Sequence, residues 1–497
     1  MKMLPFDNKN ELQIVIDMPE GSTLERTEAV TYELANYLLQ LREVTDVSWY
    51  VGTSSPMDFN GLVRHYYLRE GPNVADIRVN FVEKKKRAQQ SHAIGLRIRN
   101  GLTEIARRHG ANIKIVEVPP GPPVIATIVA EVYGKSLLQS YDEIVAAAKR
   151  VRRIMESMPG VVDVDDTLVA PQRKVTWAVD RIKAGMLGIS NNQVAQAVSD
   201  MIEGGVYGSL RLPDQVHPVH IIARLPRAQR SVPEEIGSMM IKIPSGQMVY
   251  LSELGHFEEQ VIDQPIYHKN LKPVVYVFGD TAGLPPPEAI FALKDAVSKD
   301  ASLKDFDIVW SGEGEWDITV RVFRDLGIAF GVAVLGIYIL LLYQTQSYLL
   351  PIIQLIALPL SIIGIIPGFW VLNLIFGETV DGWQNQVYFT ATAMIGMIAL
   401  AGIATRNSIL LIEFIEERKK EGKPLVRSLI EAGAVRMRAI FLTSLSAMLA
   451  AWPITLDPIF SGLAWSLILG ISVSTFFTLI VVPMVYFLAY RSRENTA

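Results

Sequence analysis

The sequence has no cysteine. That one absence removes disulfides, thiolate metal ligands and a cysteine nucleophile together, and it suits an oxidising compartment. There is no large excess of one charge either: 47 Lys and Arg stand against 51 Asp and Glu, a formal net charge of -4. Such a balance implies no polyanionic partner, and nucleic acid is not expected as a ligand. A phosphate-cradling glycine loop is missing, so ATP is not expected as the energy source, and no cofactor is expected. The start, Met1-Lys2-Met3-Leu4-Pro5-Phe6-Asp7, lacks the apolar core of a secretory leader. Beyond about residue 325, charge itself becomes scarce over long stretches.

What replaces charge there is apolar sequence long enough to cross a bilayer, which takes ~20 helical residues. Half of the 497 residues are apolar, more than a soluble protein of this length needs. Five spans are predicted, at 323–343, 351–376, 387–415, 439–456 and 462–489. Pro351, Pro359, Pro367, Pro453 and Pro483 lie at or inside them, which membrane helices tolerate when neighbours satisfy the freed backbone groups. The connection after the third span is rich in Lys and Arg, from Arg418 to Arg438, and the tail holds Arg491 and Arg493. The loop 377–386 holds Glu378 and Asp381 and no base. The positive-inside rule therefore puts the basic loop and the C-terminus in the cytoplasm. Five spans then require the first 320 or so residues to lie outside. Nothing in the chain would carry them there, so the expectation is a preceding transmembrane helix that is missing or belongs to a partner polypeptide.

The region before the spans reads as repeated α/β units. Residues 11–17 alternate as a strand, and 22–41 open with Ser22-Thr23-Leu24-Glu25, a predicted capping box, before an amphipathic helix. Strands at 44–50, 73–82 and 112–118 and a helix at 89–109 complete a βαββαβ order. A second unit follows at 124–133, 137–157 and 161–166, and a third at 273–279, 286–299 and 305–311. The helix exits share a form, as in Arg42-Glu43-Val44-Thr45-Asp46-Val47 and Pro159-Gly160-Val161-Val162-Asp163-Val164, which points to duplicated units. Between the second and third units lies an insertion with strands at 173–179, 217–224, 239–243 and 247–251 and a helix near 190–203. Pro119-Pro120-Gly121-Pro122-Pro123 reads as a stiff linker. The fold class expected is an α+β extracytoplasmic region of repeated βαβ, ferredoxin-like units, followed by an all-α transmembrane bundle.

Four segments in order resemble the resistance–nodulation–division efflux pumps. They are Leu4-Pro5-Phe6-Asp7-Asn8-Lys9 leading to Asp17-Met18-Pro19-Glu20-Gly21; Val179-Asp180-Arg181-Ile182-Lys183-Ala184-Gly185; Arg406-Asn407-Ser408-Ile409-Leu410-Leu411-Ile412-Glu413-Phe414; and Val435-Arg436-Met437-Arg438 running to Leu442-Thr443-Ser444-Leu445. Such pumps contain two similar halves, each with one helix, a large outer loop and five more helices. The chain is similar to a second half without its first helix. The resemblance implies a periplasmic porter subdomain at 1–120, a second at 121–171 and 266–322, a docking subdomain at 172–265, a five-helix bundle at 323–490 and a cytoplasmic tail at 491–497. It also implies a bacterial inner membrane as the location, a homotrimer, a periplasmic adaptor, an outer-membrane channel and small amphipathic substrates. The partner half would supply intramembrane aspartates, since no adjacent acidic pair lies inside any span of this chain.

Arg406 lies well inside the third span. A cation there is expensive, and it faces a partner or a water-filled path unless it snorkels to the interface or forms a structural ion pair. The resemblance implies more: the family's drug pumps keep a lysine at the matching position, paired with two aspartates of the other half. Arginine keeps its proton. It would therefore act as a fixed charge that lowers neighbouring carboxylate pKa values, not as a relay. Thr443 matches a threonine of the same network, although a membrane threonine commonly bonds its own helix backbone. Arg436 and Arg438 match arginines at the cytoplasmic mouth of the family's proton path, or serve as positive-inside anchors.

The loop 52–72 matches the family's switch loop, which separates entry and deep substrate pockets. Gly52, Gly61 and Gly71 flank a stretch read as flexible that contains Met57 and Phe59, and Trp49 and Val51 enter it on a strand. Methionine and aromatic surfaces suit promiscuous apolar ligands. Tyr66 and Tyr67 are expected to pack the subdomain core instead. His217 and His220 form an H-x-x-H, but in a strand they would point to opposite faces, and no metal site is expected. The expected function is half of a proton-driven antiporter of amphipathic compounds, a secondary transporter and not an enzyme. The alternatives are heavy-metal ion efflux by the same fold and a non-transporting protein-export accessory.

Overall fold

The computed structural model describes residues 2–118, 121, 124–136 and 139–494, with side chains to residue 491. The prolines of the expected linker at 119, 120, 122 and 123 lie outside the described residues, as do the first two residues of the helix expected from 137.

The first sheet is built from β1 (Glu11–Asp17), β2 (Val44–Thr53), β3 (Glu70–Phe81) and β4 (Asn112–Val116), in the order β2-β3-β1-β4 and antiparallel throughout. Strand alternation assigns its two faces different chemistry. Leu12, Ile14 and Ile16 of β1 are at most 1% exposed, and with Ile77 and Ile115 they pack on α1 (Leu24–Leu39) and α2 (Ser91–His109). The other face pairs Val15 with Asp76 and with Lys114, and Gln13 with Arg78, so a polar face is buried as well.

The Ser22–Glu25 run does not form the expected capping box. The chain turns at Gly21, whose φ is +85°, and the helix starts at Leu24 with Thr23 as N-cap. That register puts Arg26, not a carboxylate, three residues past the cap, and the Thr23 side chain makes no capping bond. Reciprocal capping boxes occur elsewhere, at Ser140 with Glu143 and at Ser190 with Gln193.

The second sheet joins segments far apart in the chain. It contains β5 (Ile128–Gly134), β6 (Val161–Asp166), β7 (Val275–Thr281) and β8 (Phe306–Val309), in the order β8-β5-β7-β6. Ile128, Ala130 and Val132 face Ala148, Val151 and Met155 of α3 (Tyr141–Ser157) and Ile290 and Leu293 of α4 (Pro286–Lys299).

The segment Val169–Pro265 is a separate compact unit. Within it, Arg173–Val179 pairs with Gly255–Val261, setting Trp177 edge-on to Phe257 with ring centroids 4.7 Å apart. Gly205–Leu210 pairs with Val219–Ala223, and Met240–Lys242 with Met248–Tyr250. Val194, Leu251 and Leu254 form its core.

Five long helices complete the chain: α5 (Glu315–Thr345), α6 (Ala357–Phe376), α7 (Ala391–Lys420), α8 (Leu425–Ala451) and α9 (Ser461–Glu494). All five are long and apolar enough to cross a membrane; the second span begins at Leu349 and the fourth runs to Leu456. Most of their ends overrun the sequence-based spans because the polar ends continue as helix beyond the apolar stretch, whereas the third starts later than expected, at Ala391. The helix α9 packs against α6, α7 and α8. At Gly364 of α6 an added Cβ would sit 2.6 Å from the Val473 Cβ of α9, so this crossing depends on a missing side chain. Between α6 and α7 the chain forms a hairpin, Glu378–Val380 with Trp383–Asn385. Its tip, Asp381-Gly382, has φ of 49° and 86°, the paired left-handed turn of two-residue hairpins.

Candidate functional site

Arg406 and Thr443 sit inside α7 and α8 and both are exposed on the five-helix bundle. Arg406 has no hydrogen bond and no ion pair among the described residues. Thr443 donates its hydroxyl to the Ile440 carbonyl of its own helix at 3.0 Å. One residue further along, each helix turns inward. Asn407 is buried and donates from Nδ2 to the Ser444 Oγ at 3.3 Å, and Thr475 of α9 donates to the same oxygen at 2.8 Å. The buried Asn407 Oδ1 has no protein partner. This three-helix polar contact was not among the residues singled out from sequence. Its signal was a run of polar residues, Thr405 to Ser408, of which only the cation drew notice.

Arg436 lies nearer the Lys- and Arg-rich connection. Its guanidinium stands 5.0 Å from the centre of the Phe414 ring, over which Arg418 also lies at 4.6 Å, and its Nε is buried without a partner. Glu413 accepts a hydrogen bond from Gln344 Nε2 at 2.5 Å.

The loop after β2 makes contacts at both of its ends. Gly52 has φ +80°, and a Cβ there would lie 2.8 Å from the Leu24 Cδ1. Asp58 accepts from the Gly61 N–H at 2.6 Å and pairs with Arg78 at 2.7 Å. Arg69 bridges Asp17 and Asp76 at the far end. On this frame Met57 and Phe59 are presented to solvent, Phe59 at 69% exposure. Trp49 is exposed on β2 and edge-on to Tyr32, while Val51 packs against the core of the first sheet. Tyr67, in the short turn Tyr66–Leu68, is also exposed, so it does not pack the core as expected.

The loop reaches the second sheet through Arg64, which sequence reasoning passed over. Its guanidinium faces Asp280 of β7 at 3.6 Å. Burial alone would push the Asp280 carboxyl up; the Arg64 charge and hydrogen bonds from the Thr127 N–H and hydroxyl outweigh it and hold the carboxyl below the usual range. Arg64 and Asp280 line a cavity of about 100 Å³ together with Phe6, Arg99, Glu117 and Glu315. None of Trp49, Val51, Gly52, Met57, Phe59 and Gly61 lines it.

The two sheets are also joined by further ion pairs. Lys114 of β4 stands between Asp17 of β1 and Asp165 of β6, and Arg99 of α2 pairs with Asp163. Burial would lower the Lys114 ammonium; the two carboxylates reverse that and hold it well above its ordinary value. In the separate unit, His220 meets the Ser209 hydroxyl through Nδ1 at 3.1 Å. Among the described residues no group of three or more His, Asp or Glu side chains is placed to hold a metal ion.

Comparison with known proteins matches residues 1–490 to the family model described as the AcrB/AcrD/AcrF family. The swarming motility protein SwrC of Bacillus subtilis is 23% identical over 504 residues, covering 99% of this chain and 44% of its own. The cobalt-zinc-cadmium resistance protein CzcA of Cupriavidus metallidurans is 26% identical over 366 residues, covering 70% and 32%. The multidrug export protein AcrF of Escherichia coli is 22% identical over 462 residues, covering 91% and 42%. The chain thus spans less than half the length of these relatives. A crystal structure of a heavy metal efflux pump superposes with a TM-score of 0.76 at 20% identity, covering 98% of this chain and 48% of that one.

Proposed function

The chain belongs to the AcrB/AcrD/AcrF family of resistance–nodulation–division transporters, and from that premise we propose that it is one half of a proton-driven exporter of amphipathic compounds. The residues before Gly314 form the periplasmic porter and docking portions, with repeated ferredoxin-like units at 1–120 and at 121–171 with 266–322, and the docking unit at 172–265. The five helices lie in the inner membrane. The assembly is a trimer of paired halves that meets a periplasmic adaptor and an outer-membrane channel.

The observation that carries this reading is Arg406. A guanidinium in the middle of a long apolar helix, exposed on the bundle and without a partner among the described residues, is costly in lipid. It becomes affordable when carboxylates of a companion half face it. Those carboxylates would gain and lose the transported protons, and Arg406 would hold their pKa values down until they load. Met57 and Phe59 supply an adaptable apolar surface above, suited to varied substrates.

The test is Arg406→Ala, expressed with the companion half and read as export of a fluorescent amphipathic dye in everted vesicles. Proton-dependent export is expected to vanish while the assembly stays intact on a native gel. Arg406→Lys is expected to keep part of it. Unchanged export in Arg406→Ala would reject the coupling role.

A metal-ion substrate is the second reading. It is favoured by CzcA, whose 26% identity exceeds that of AcrF at 22%, and by the heavy metal pump fold. A strain lacking the chain that loses zinc or cobalt tolerance, with dye export unchanged, would select it.

A further inference from the structure

The two sheets stand on different membrane helices. The second sheet is rooted on α5. The Glu315 N–H donates to the Ala126 carbonyl at 3.4 Å, and Trp316 in the first turn packs on that sheet's core, edge-on to Phe291 of α4 with ring centroids 5.4 Å apart. The first sheet is tied to α7. The segment leading into β1 lies along the start of that helix, where the Lys2 N–H donates to the Phe389 carbonyl at 3.2 Å and the Ala391 N–H to the Met3 carbonyl at 3.0 Å. Between α5 and the start of α7 the contact is apolar, with the Phe323 and Phe389 ring centroids 6.2 Å apart.

A second tie to the first sheet runs through the α6–α7 hairpin. Its tip reaches α2, where Asn100 Nδ2 donates to the Asp381 carbonyl at 3.0 Å and to the Asp381 Oδ2 at 2.8 Å. Just before the tip, Val380 is 5% exposed and clusters with Ala93 and Leu96 of α2. The base of the connection is closed on α6 by Asn373, which donates to the Val387 carbonyl at 2.9 Å and accepts from the Val387 N–H at 2.7 Å.

The second sheet meets the same hairpin differently. Val380 and Trp383 cluster with Ala282 and Val162, an apolar contact. At Gly283 the hairpin passes so close that an added Cβ would sit 2.8 Å from the Gln384 nitrogen. Among the described residues no hydrogen bond or ion pair joins the hairpin to the second sheet. Hydrogen bonds are directional and hold position, whereas apolar contact is not directional and resists separation more than sliding. The ion pairs Arg99–Asp163 and Lys114–Asp165 cross the seam between the sheets and set the arrangement that sliding works against.

We propose that the α6–α7 hairpin is a lever that moves with the first sheet as one body and slides over the second at Gly283. Displacement of α7 against α5 then becomes displacement of one sheet against the other, a shear of packed elements. This rests on the membrane placement and the proton coupling proposed above. It adds the path by which a charge change beside Arg406 on α7 reaches the seam between the sheets.

Because the chain lacks cysteine, pairs of spin labels can be placed on introduced thiols. One pair joins Thr379→Cys on the hairpin to Arg107→Cys on α2, and the other joins Thr379→Cys to Lys149→Cys on α3; all three positions are exposed. Distances are read by double electron–electron resonance in proteoliposomes holding the full chain with its companion half, with and without an imposed proton gradient. The hairpin-to-α2 distance is expected to hold within about 1 Å, and the hairpin-to-α3 distance to shift by more than about 2 Å, the scale of loop and domain rearrangement. A shift in the first distance, or none in the second, overturns the lever. A functional arm joins Asn100→Cys to Asp381→Cys with a short reducible linker. It is expected to cost no more than about twofold in dye export, since it fixes groups already in contact; a larger loss that reductant restores also overturns the lever. Distances that follow the lever in an assembly that exports no dye reject the exporter reading alone. Full dye export with a shifted hairpin-to-α2 distance rejects the lever alone.

Discussion

The extramembrane sheets and the membrane helices treat buried charge in opposite ways. Between the sheets, four deeply placed cations have carboxylates within reach: Lys114 has Asp17 and Asp165, Arg69 has Asp17 and Asp76, Arg99 has Asp163, and Arg64 has Asp280; Lys2, buried without an ion pair among the described residues, lies over the Phe6 ring instead. Inside α7, Arg406 has none among the described residues. The apolar residues show the same inversion. Ile14, Ile77 and Val132 are sealed inside, whereas α5 turns nearly all of its most apolar stretch outward, with 6% of it buried against 50% for α6 and α7. The sheets are closed by their own sequence. On the function proposed above, lipid completes some faces of the helix bundle and a companion half completes another. An unpaired cation marks which face expects protein.

The largest stability effect should come from breaking the closed side of this contrast. Lys114→Met leaves Asp17 and Asp165 facing each other with one cation fewer. Removing one partner of a buried pair costs about 3–5 kcal/mol. The thermal midpoint of the extramembrane region, followed by tryptophan fluorescence in detergent, is expected to fall by roughly 10 °C. Adding Asp165→Asn should recover part of the loss, because it relieves the uncompensated carboxylate. An unaltered midpoint in Lys114→Met would mean that the sheets are held by apolar packing alone.

A graded effect follows from acid. The Asp17 carboxyl is held far below its ordinary value: burial raises it, but Lys114 and Arg69 prevail. Glu117 is lowered in the same sense by His92 and Lys2 against burial, and Asp280 by Arg64. Groups with depressed folded pKa values stabilise fully above the unfolded value, near pH 4, and lose that contribution as pH falls through the folded values. Stability of the extramembrane region should therefore be flat from about pH 6 to 8 and decline below about pH 4. Lys114 works with the opposite sign: its raised pKa contributes below the ordinary lysine range and fades only in strong alkali. Denaturant midpoints measured from pH 3 to 8 read this directly.

Much of the fold was legible because it follows from periodicity. The alternation of residues 11–17 and 173–179 and the apolar length of the spans translate directly into Glu11–Asp17, Arg173–Val179 and five long helices. Pairings between distant strands were less legible, because register is written in two places at once. The strand Gly255–Val261 was missed; its outer residues Glu258, Glu259 and Gln260 give it no apolar signature, and it exists through its ladder to Arg173–Val179. The α6–α7 hairpin was missed too, although Val380-Asp381-Gly382-Trp383 carries the turn chemistry in plain form. At the candidate sites, sequence singled out charge but did not give direction. Arg406 and Asn407 are adjacent in the chain and about 100° apart on the helix, and only three-dimensional packing determines which of them turns inward.

That adjacency gives the smallest and sharpest test of the contrast. Ser444 accepts from both Asn407 and Thr475, linking α7, α8 and α9 inside the bundle. Ser444→Ala removes the shared acceptor and leaves two donors buried, with Asn407 Oδ1 already unpartnered. Hydrogen bonds between membrane helices are worth about 0.6 kcal/mol on average, because the helices find other partners when separated in lipid. The change should lower the resistance of the solubilised bundle to denaturing detergent only slightly and leave dye export within about twofold, the factor that 0.4 kcal/mol represents. Thr443, one position earlier, bonds only its own helix, and Thr443→Ala should be as mild in an isolated chain. Paired with a companion half, Thr443→Ala should reduce export more than Ser444→Ala does, because its face is the one left open to a partner. The reverse ranking would locate the functional surface inside this bundle and remove the reason for a partner at Arg406.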